Sequence, residues 1–569
     1  MTERRVIPLR GVHGAALAAA VGALMAFAAT GQDVRDAQFT DVTAASGLAF
    51  THSASKTAAR FLPETMGGGV ALLDYDGDGR LDVFFTNGAA IDAQMTSARR
   101  PDKSAPRFWN RLYRQVAPWQ FEDVTERAGV AGRSYDFGVA VADYDNDGDP
   151  DLLVTGYGGS VLHRNEGDGT FRDVTTAAGL AGDGWPSSAG FVDYDGDGHL
   201  DLFVARYLEW QWESNVECRE AGSGERSYCH PKHFAPVASA LYRNRGDGTF
   251  ADVSAPTGVG ASKGKALGVA FSDVDRDGRI DIIVANDSTG QFLFRNTGGR
   301  FEETALESGM AYDEDGRSFS GMGIDVADYD NDTWPDVVVT TLSRERYALF
   351  RNTGRGQFAY ATHTSGLGAI TELLAGWGTR WIDVDHDGDL DLFVAQGHVM
   401  DTLTKARTGV DSRQPPLLVR NDAGRFTDAS HLLGAAARQP RAGRGAAFGD
   451  IDNDGDVDIV VANLDEGPTL LRNDGVPGRT WLSLDLRGTS SNRDGIGAHV
   501  AVTDDTGRTQ VRTVTTASSY QSASAARVHL GLGAARAVRR VEIRWPSGIV
   551  QVLTDIDPGQ VLVVTEPRR

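Results

Sequence analysis

One nine-residue pattern, D-x-D-x-D-G-x-x-D, returns seven times along the chain and constrains its fold more than any other feature. Its acidic positions are Asp74, Asp76, Asp78 and Asp82 in the first copy, then Asp143, Asp145, Asp147 and Asp151 in the second. The third copy has Asp193, Asp195, Asp197 and Asp201, and the fourth Asp273, Asp275, Asp277 and Asp281. The fifth has Asp328, Asp330, Asp332 and Asp336, and the sixth Asp383, Asp385, Asp387 and Asp391. The seventh has Asp450, Asp452, Asp454 and Asp458. Copies start 50 to 80 residues apart, and each sits in the same surroundings. A small apolar run such as 68–73 precedes it, and a β-branched run such as 282–284 or 337–339 follows. Next comes a strand ending in Arg-Asn, as at Arg164-Asn165 and Arg351-Asn352, with Arg114-Gln115 in the first unit. A Gly-rich turn then leads to a strand headed by Phe, as at 171–175 and 250–254. Four short strands repeated at this period make a β-propeller blade. The chain is therefore expected to be all-β, with a seven-bladed β-propeller over residues 36–475. A Phe-headed strand at 39–43 precedes the first Asp loop, and none follows the seventh unit in register. It is expected to supply the outer strand of the last blade and so protect the sheet edge.

Four carboxylates within nine residues repel one another unless a cation sits among them. Oxygen ligands at positions 1, 3, 5 and 9, with a carbonyl from position 7, suit a hard ion, and Gly at position 6 permits the sharp turn. Calcium fits best, because it accepts 6–8 oxygens in flexible geometry. Up to seven calcium sites are expected, the alternative being acidic turns without metal. The loops are not EF-hands, since position 12 is Phe85, Val154, Val204, Val284, Val339, Val394 or Val461 where a bidentate Glu is needed. In the fifth copy Thr333 replaces Gly, which predicts a strained, weaker site. Composition carries the same bias, with 59 Asp against 19 Glu. Seven dications would take the net charge from -22 to -8. So acidic a chain lacks the clustered Lys and Arg that nucleic acid requires, and no nucleic-acid partner is expected.

Residues 1–31 combine Arg4, Arg5 and Arg10 with a small-residue apolar stretch, 14–29, and an A-x-A pattern at Ala26 and Ala28. They read as a signal peptide, with an uncut membrane anchor as the alternative. An exported protein, periplasmic or extracellular, with no transmembrane segment in the mature chain follows. Cys218 and Cys229 are the only cysteines. In an oxidising compartment they most simply form one disulfide, the alternative being a zinc site with His230 and His233. After Asn473 the Asp loops stop, and alternating runs over 480–566 predict a small C-terminal β-sandwich domain.

The seven loops and Phe-headed strands resemble FG-GAP/VCBS repeats, as in integrin α-subunit propellers. The C-terminal stretch is similar to the ASPIC/UnbV domain through 491–498 (SNRDGIGA), 529–533 (HLGLG) and 544–548 (RWPSG). Together they resemble bacterial members of the cartilage acidic protein family. That resemblance implies a secreted calcium-binding propeller and implies no reaction. Two functions are weighed. One is a non-catalytic binding, adhesion or scaffold protein with a protein or glycan ligand, its oligomeric state open. Its contact surfaces would be the insertions at 88–110, 206–236 and 398–416, the second carrying Tyr207, Trp210 and Trp212, which either face a ligand or pack the insertion down. The tripeptide Arg245-Gly246-Asp247 sits in a hairpin like its sibling 165–171 and reads as a turn. The alternative is an extracytoplasmic enzyme, a hydrolase or lyase on polysaccharide or lipid, using Glu64, Asp136, Lys265, His398 and Arg444 in the propeller funnel. Convergence of those residues in a closed pocket would separate the two.

Overall fold

A computed structural model describes residues 38–568 except 183, 221–223 and 404–407. The signal-peptide reading of 1–31 lies outside the described residues. Seven antiparallel four-stranded sheets form from the seven units. Their first strands are Val70–Leu73, Asp136–Ala142, Pro186–Val192, Ala266–Ser272, Ile324–Ala327, Gly376–Ile382 and Gly443–Gly449. These strands neighbour one another in chain order, and the last returns to the first, so they line a closed ring. The β-branched run that follows each Asp loop forms the second strand and is buried on both faces, as in Asp336–Val339. Continuous apolar runs are what a sheet stacked between two others requires. Phe39–Asp41 pairs with Thr469–Asn473, Phe39 opposite Asn473, so the first described strand completes the last sheet.

The C-terminal segment forms two further sheets. One places Thr480–Arg487 between Val528–Gly533 and Gln560–Thr565. The other runs Thr509–Thr513, His499–Asp504, Val538–Arg544, Val550–Ile556. Leu482, Leu484, Val500, Val502, Leu530 and Ile543 fill the space between them. The same apolar cluster continues into the ring through Phe191 and Leu202. Over 480–566 this domain carries 9 Arg and 8 acidic residues, in a chain of net charge -22, and it docks on the face of the ring that bears the Asp loops.

From that face a hairpin of the C-terminal domain enters the channel. Its short strands Ala517–Ser518 and Ser522–Ala523 pair with each other, and Ala523 pairs in parallel with Ala71 of the first sheet. Small side chains let it fit, and its backbone and hydroxyls occupy the inner strands. Ser519 and Ile324 exchange backbone hydrogen bonds at 2.7 and 3.0 Å, and the Val139 N–H donates to the Gln521 carbonyl at 3.0 Å. Ser522 Oγ accepts from the Val70 N–H at 3.1 Å, and Thr516 Oγ1 donates to the Val141 carbonyl at 2.8 Å. Gly69 and Gly445 make room: a Cβ at Gly69 would overlap the Gln521 carbonyl, and one at Gly445 the Ser522 hydroxyl. At the tip, Tyr520 is fully buried, its ring 4.7 Å from that of Trp377. The funnel expected from the sequence is thus filled.

Beyond the tip lies an aromatic cluster that includes Phe61, Tyr157, Trp185, Tyr207, Trp210 and Trp212. Tyr207, Trp210 and Trp212 are only 3 to 5% exposed, so they pack the 206–236 insertion onto the ring and offer no open rim. Cys218 and Cys229 form a disulfide within that insertion, which removes both thiols from any zinc site. Arg245-Gly246-Asp247 is a hairpin turn closed by Arg245 N–H to the Thr249 carbonyl, as Glu166 to Thr170 closes its sibling. Among the described residues no helix is long and apolar enough to cross a membrane.

Candidate metal centres

Each Asp loop joins the first and second strands of its sheet, so all seven lie on one face. Backbone geometry explains the spacing. Position 6 is left-handed in every loop, from Gly79 (φ 84°) to Gly455 (φ 98°). Position 4 is left-handed too, at Gly77, Asn146, Gly196, Arg276, Asn331, His386 and Asn453. This double turn aims backbone N–H groups at the carboxylates. In the first loop Asp74 accepts from the Asp78 and Gly79 N–H groups at 3.0 and 2.9 Å, and Asp78 accepts from Arg80 at 3.1 Å. Asp82 accepts from Tyr75 at 3.0 Å and from Gln115 at 2.7 Å.

The position-9 carboxylate is buried in all seven loops, at 0 to 2% exposed. Burial pushes Asp281 up to about 7, Asp82 up to about 8, and Asp151, Asp201 and Asp336 up to about 9, and raises Asp391 and Asp458 well above the usual carboxylate range. Backbone donors and a cation are the two things that keep such a group ionised. Within single loops, donor oxygens of three carboxylates come within 4.8 Å of one another, as for Asp74, Asp76 and Asp82, or Asp193, Asp195 and Asp197. Asp76 Oδ1, Asp145 Oδ1 and Asp452 Oδ1 are buried without a hydrogen-bond partner. Buried orphan oxygens inside clustered carboxylates fit a hard cation, and these groups could hold metal ions.

The Arg-Asn pairs have roles that sequence reasoning missed. In five units the Arg reaches back to its own loop, as where Arg243 meets Asp195 and Asp197 at 2.9 and 3.0 Å and Arg351 meets Asp330 and Asp332 at 2.5 and 2.8 Å, whereas Arg164 and Arg472 pair with Glu166 and Asp474. The Asn ties neighbouring blades. Asn165 Nδ2 donates to the Tyr75 carbonyl, Asn244 to Tyr144, Asn296 to Tyr194, Asn352 to Val274, Asn421 to Tyr329 and Asn473 to Val384, all at 2.7 to 2.9 Å. Gln115 closes the circle by donating to the Ile451 carbonyl at 3.0 Å, its longer arm spanning the first and last blades. The recurrence of Asn one residue after Arg in six units was the available signal.

The fifth loop departs as its sequence suggests. Thr333 adopts φ 76°, an outlier for a β-branched residue, and Asp328 Oδ1 is left without a partner. Thr333→Gly is expected to stabilise the protein by about 1 kcal/mol, the left-handed cost relieved less the extra chain entropy. Calcium-saturated unfolding of the two proteins checks this; equal midpoints would show that the loop bears no strain.

The five polar residues proposed for the funnel do not converge. Glu64 accepts from Thr57 and Tyr228, Asp136 pairs with Lys103 at 2.9 Å, and Lys265 donates to the Pro231 carbonyl. Arg444 lies 4.1 Å over Trp377 and donates to the Thr65 carbonyl, and only its 3.5 Å approach to the His398 carbonyl joins two of the five.

Comparison with known proteins accords with this architecture. The FG-GAP-like repeat model matches residues 74–154, 143–204, 236–284, 273–339 and 328–394, and the ASPIC and UnbV model matches 488–569. Cartilage acidic protein 1 of Xenopus tropicalis is 28% identical over 204 residues, 34% of this chain and 31% of that protein. The human protein of the same name is 31% identical over 169 residues, 28% of this chain and 24% of its own. The match thus spans about a quarter to a third of the length of these curated relatives. Among solved structures, an Agrocybe aegerita lectin specific for non-reducing terminal N-acetylglucosamine aligns with a TM-score of 0.38 and 17% identity, covering 70% of this chain and 87% of its own. Repeat units, loops and C-terminal module together show that the chain belongs to the family of FG-GAP-like repeat proteins that end in an ASPIC and UnbV domain.

Proposed function

We propose that this chain is an exported calcium-binding β-propeller acting as a non-catalytic binding, adhesion or scaffold protein. The observation that carries the reading is the filled channel. With the hairpin seated and Tyr520 buried under Trp377, recognition falls to the outer surfaces, where insertions and hairpins are exposed. The disulfide, stable outside the reducing cytosol, supports export to the periplasm or beyond. Calcium would be held by positions 1, 3, 5 and 9 of each loop, from Asp74, Asp76, Asp78 and Asp82 to Asp450, Asp452, Asp454 and Asp458. Its chemistry there is neutralisation: it would keep buried carboxylates charged and the double turns closed, with no bond made or broken. The partner is a protein or a glycan. A hydrolase or lyase would have the cavity of about 380 Å³ between the Asp-loop face and the C-terminal domain, and none of Glu64, Asp136, Lys265, His398 and Arg444 lines it.

Equilibrium dialysis with elemental analysis tests the calcium half of the proposal. Several calcium ions per chain, up to seven, are expected in millimolar calcium and few in equal magnesium. A chain that retains none would overturn it.

A further inference from the structure

Three of the seven loops are contacted directly by hydrogen bonds from the C-terminal domain. At the second, Asp494 accepts the Asp143 N–H at 2.9 Å, and the Arg493 N–H donates to Asn146 Oδ1 at 2.8 Å. At the sixth, the Gly533 N–H donates to the His386 carbonyl at 2.6 Å and Arg508 to the Asp387 carbonyl at 2.5 Å. At the seventh, His529 Nε2 lies 2.8 Å from the Gly455 carbonyl, and Arg527 donates to Asn453 Oδ1 at 2.9 Å.

Asn146, His386 and Asn453 all hold position 4, with φ near 60°. The contacted groups face the C-terminal domain only while the loop keeps its double left-handed turn. Repulsion among four carboxylates opens that turn, and a cation among them closes it. Neighbouring loops are also tied: Asn146 Nδ2 donates to the Gly198 carbonyl and Asn453 Nδ2 to the Gly79 carbonyl, both at 3.2 Å. The domain that contacts these loops is the one that carries the channel hairpin.

We propose that cation loading of the second, sixth and seventh loops controls docking of the C-terminal domain, and through it the seating of the hairpin in the channel. The inference rests on the calcium reading above. Linkage makes it reciprocal: docking raises the cation affinity of these three loops over the other four. The chain then behaves as a calcium-gated clamp, tight when loaded and with a loosened hairpin when stripped.

Hydrogen exchange on the full chain, with calcium and after chelation, tests it. The amides of Ser519 and Ala525, bonded to the Ile324 and Phe448 carbonyls, are the reporters. On chelation their protection is expected to fall at least tenfold further than that of second-strand amides such as Ile283 and Val338. A second arm uses Asn146→Gly with Asn453→Gly, which removes two docking acceptors and the two inter-loop donors but no carboxylate; Gly already holds position 4 at Gly77 and Gly196. Calcium stoichiometry should persist, with affinity weakened about fivefold or more at part of the sites, the lower end of typical coupling. Unchanged hairpin protection while bound calcium is lost overturns the linkage and leaves the calcium reading standing. Where chelation unfolds the whole chain, the paired variant decides, and wild-type affinity overturns the linkage. Absence of any bound calcium overturns both.

Discussion

Chelation is expected to remove most of the stability of this chain and to reverse the way its stability depends on pH. A site filled at a hundred times its dissociation constant contributes about 2.7 kcal/mol, so seven filled loops would together contribute about 19 kcal/mol, beyond the roughly 5–15 kcal/mol of an ordinary domain. The reversal follows from the position-9 carboxylates. Burial raises all seven, to about 8 for Asp82 and about 9 for Asp151, Asp201 and Asp336. A raised carboxyl binds its proton more tightly in the folded chain than in the unfolded one. Stability of the cation-free protein therefore increases as pH falls from about 9, by up to about 1.4 kcal/mol per unit for each group titrating. Below about 6.5 buried histidines oppose this. Burial holds His52, His163, His386 and His398 at about 4, so protonating the unfolded chain favours unfolding, and the rise flattens. With calcium bound the carboxylates are held ionised, so acid competes with the metal and stability falls as pH falls. Paired denaturant melts at pH 8.5 and 6.5, with calcium and with chelator, give opposite slopes if the loops bind it. Parallel slopes would mean that calcium does not sit on these carboxylates.

Replacing Tyr520 by Ala is the second large effect, expected to cost about 3–5 kcal/mol, the usual range for truncating a fully buried aromatic. The site has little freedom to collapse, because Trp377 is itself held between the Tyr520 ring and the Arg444 guanidinium. The phenol contributes less than the ring. Its hydroxyl donates to the Met66 carbonyl at 3.2 Å, so Tyr520→Phe should cost only about 1 kcal/mol. Urea unfolding in saturating calcium compares the two. Equal costs would place the value of the residue in the hydrogen bond and not in the packing.

Most of the ring was legible in the sequence because the repeat states it seven times. The Asp loops fix the turns, the runs 282–284 and 337–339 fix the buried second strands, and the unmatched Phe39 points to the sheet that lacks an outer strand. What escaped has no local signature. Position 4 was missed because Asn, Gly, Arg and His all occupy it, and only backbone geometry shows that they share a left-handed turn. The blade-tying Asn was visible as a recurrence, but its partner lies 78 to 102 residues away in the preceding blade, beyond any motif. The hairpin was hidden most deeply. Residues 516–526 are small and polar with a single Tyr, a composition that suits a surface loop as well as a narrow bore. Its place follows from contacts far along the chain, including the close approaches at Gly69 and Gly445.

The hairpin is encoded after every blade, so it is also the last of these elements to leave the ribosome. Until then the inner strands have unmatched amides such as those of Val70, Val139 and Ile324 facing an empty bore. A chain cut short by premature termination or by a protease can close its circle of sheets through Phe39–Asp41, yet it keeps that bore exposed. Only a chain translated past Ser524 satisfies the inner-strand amides, so anything shorter leaves them open to solvent.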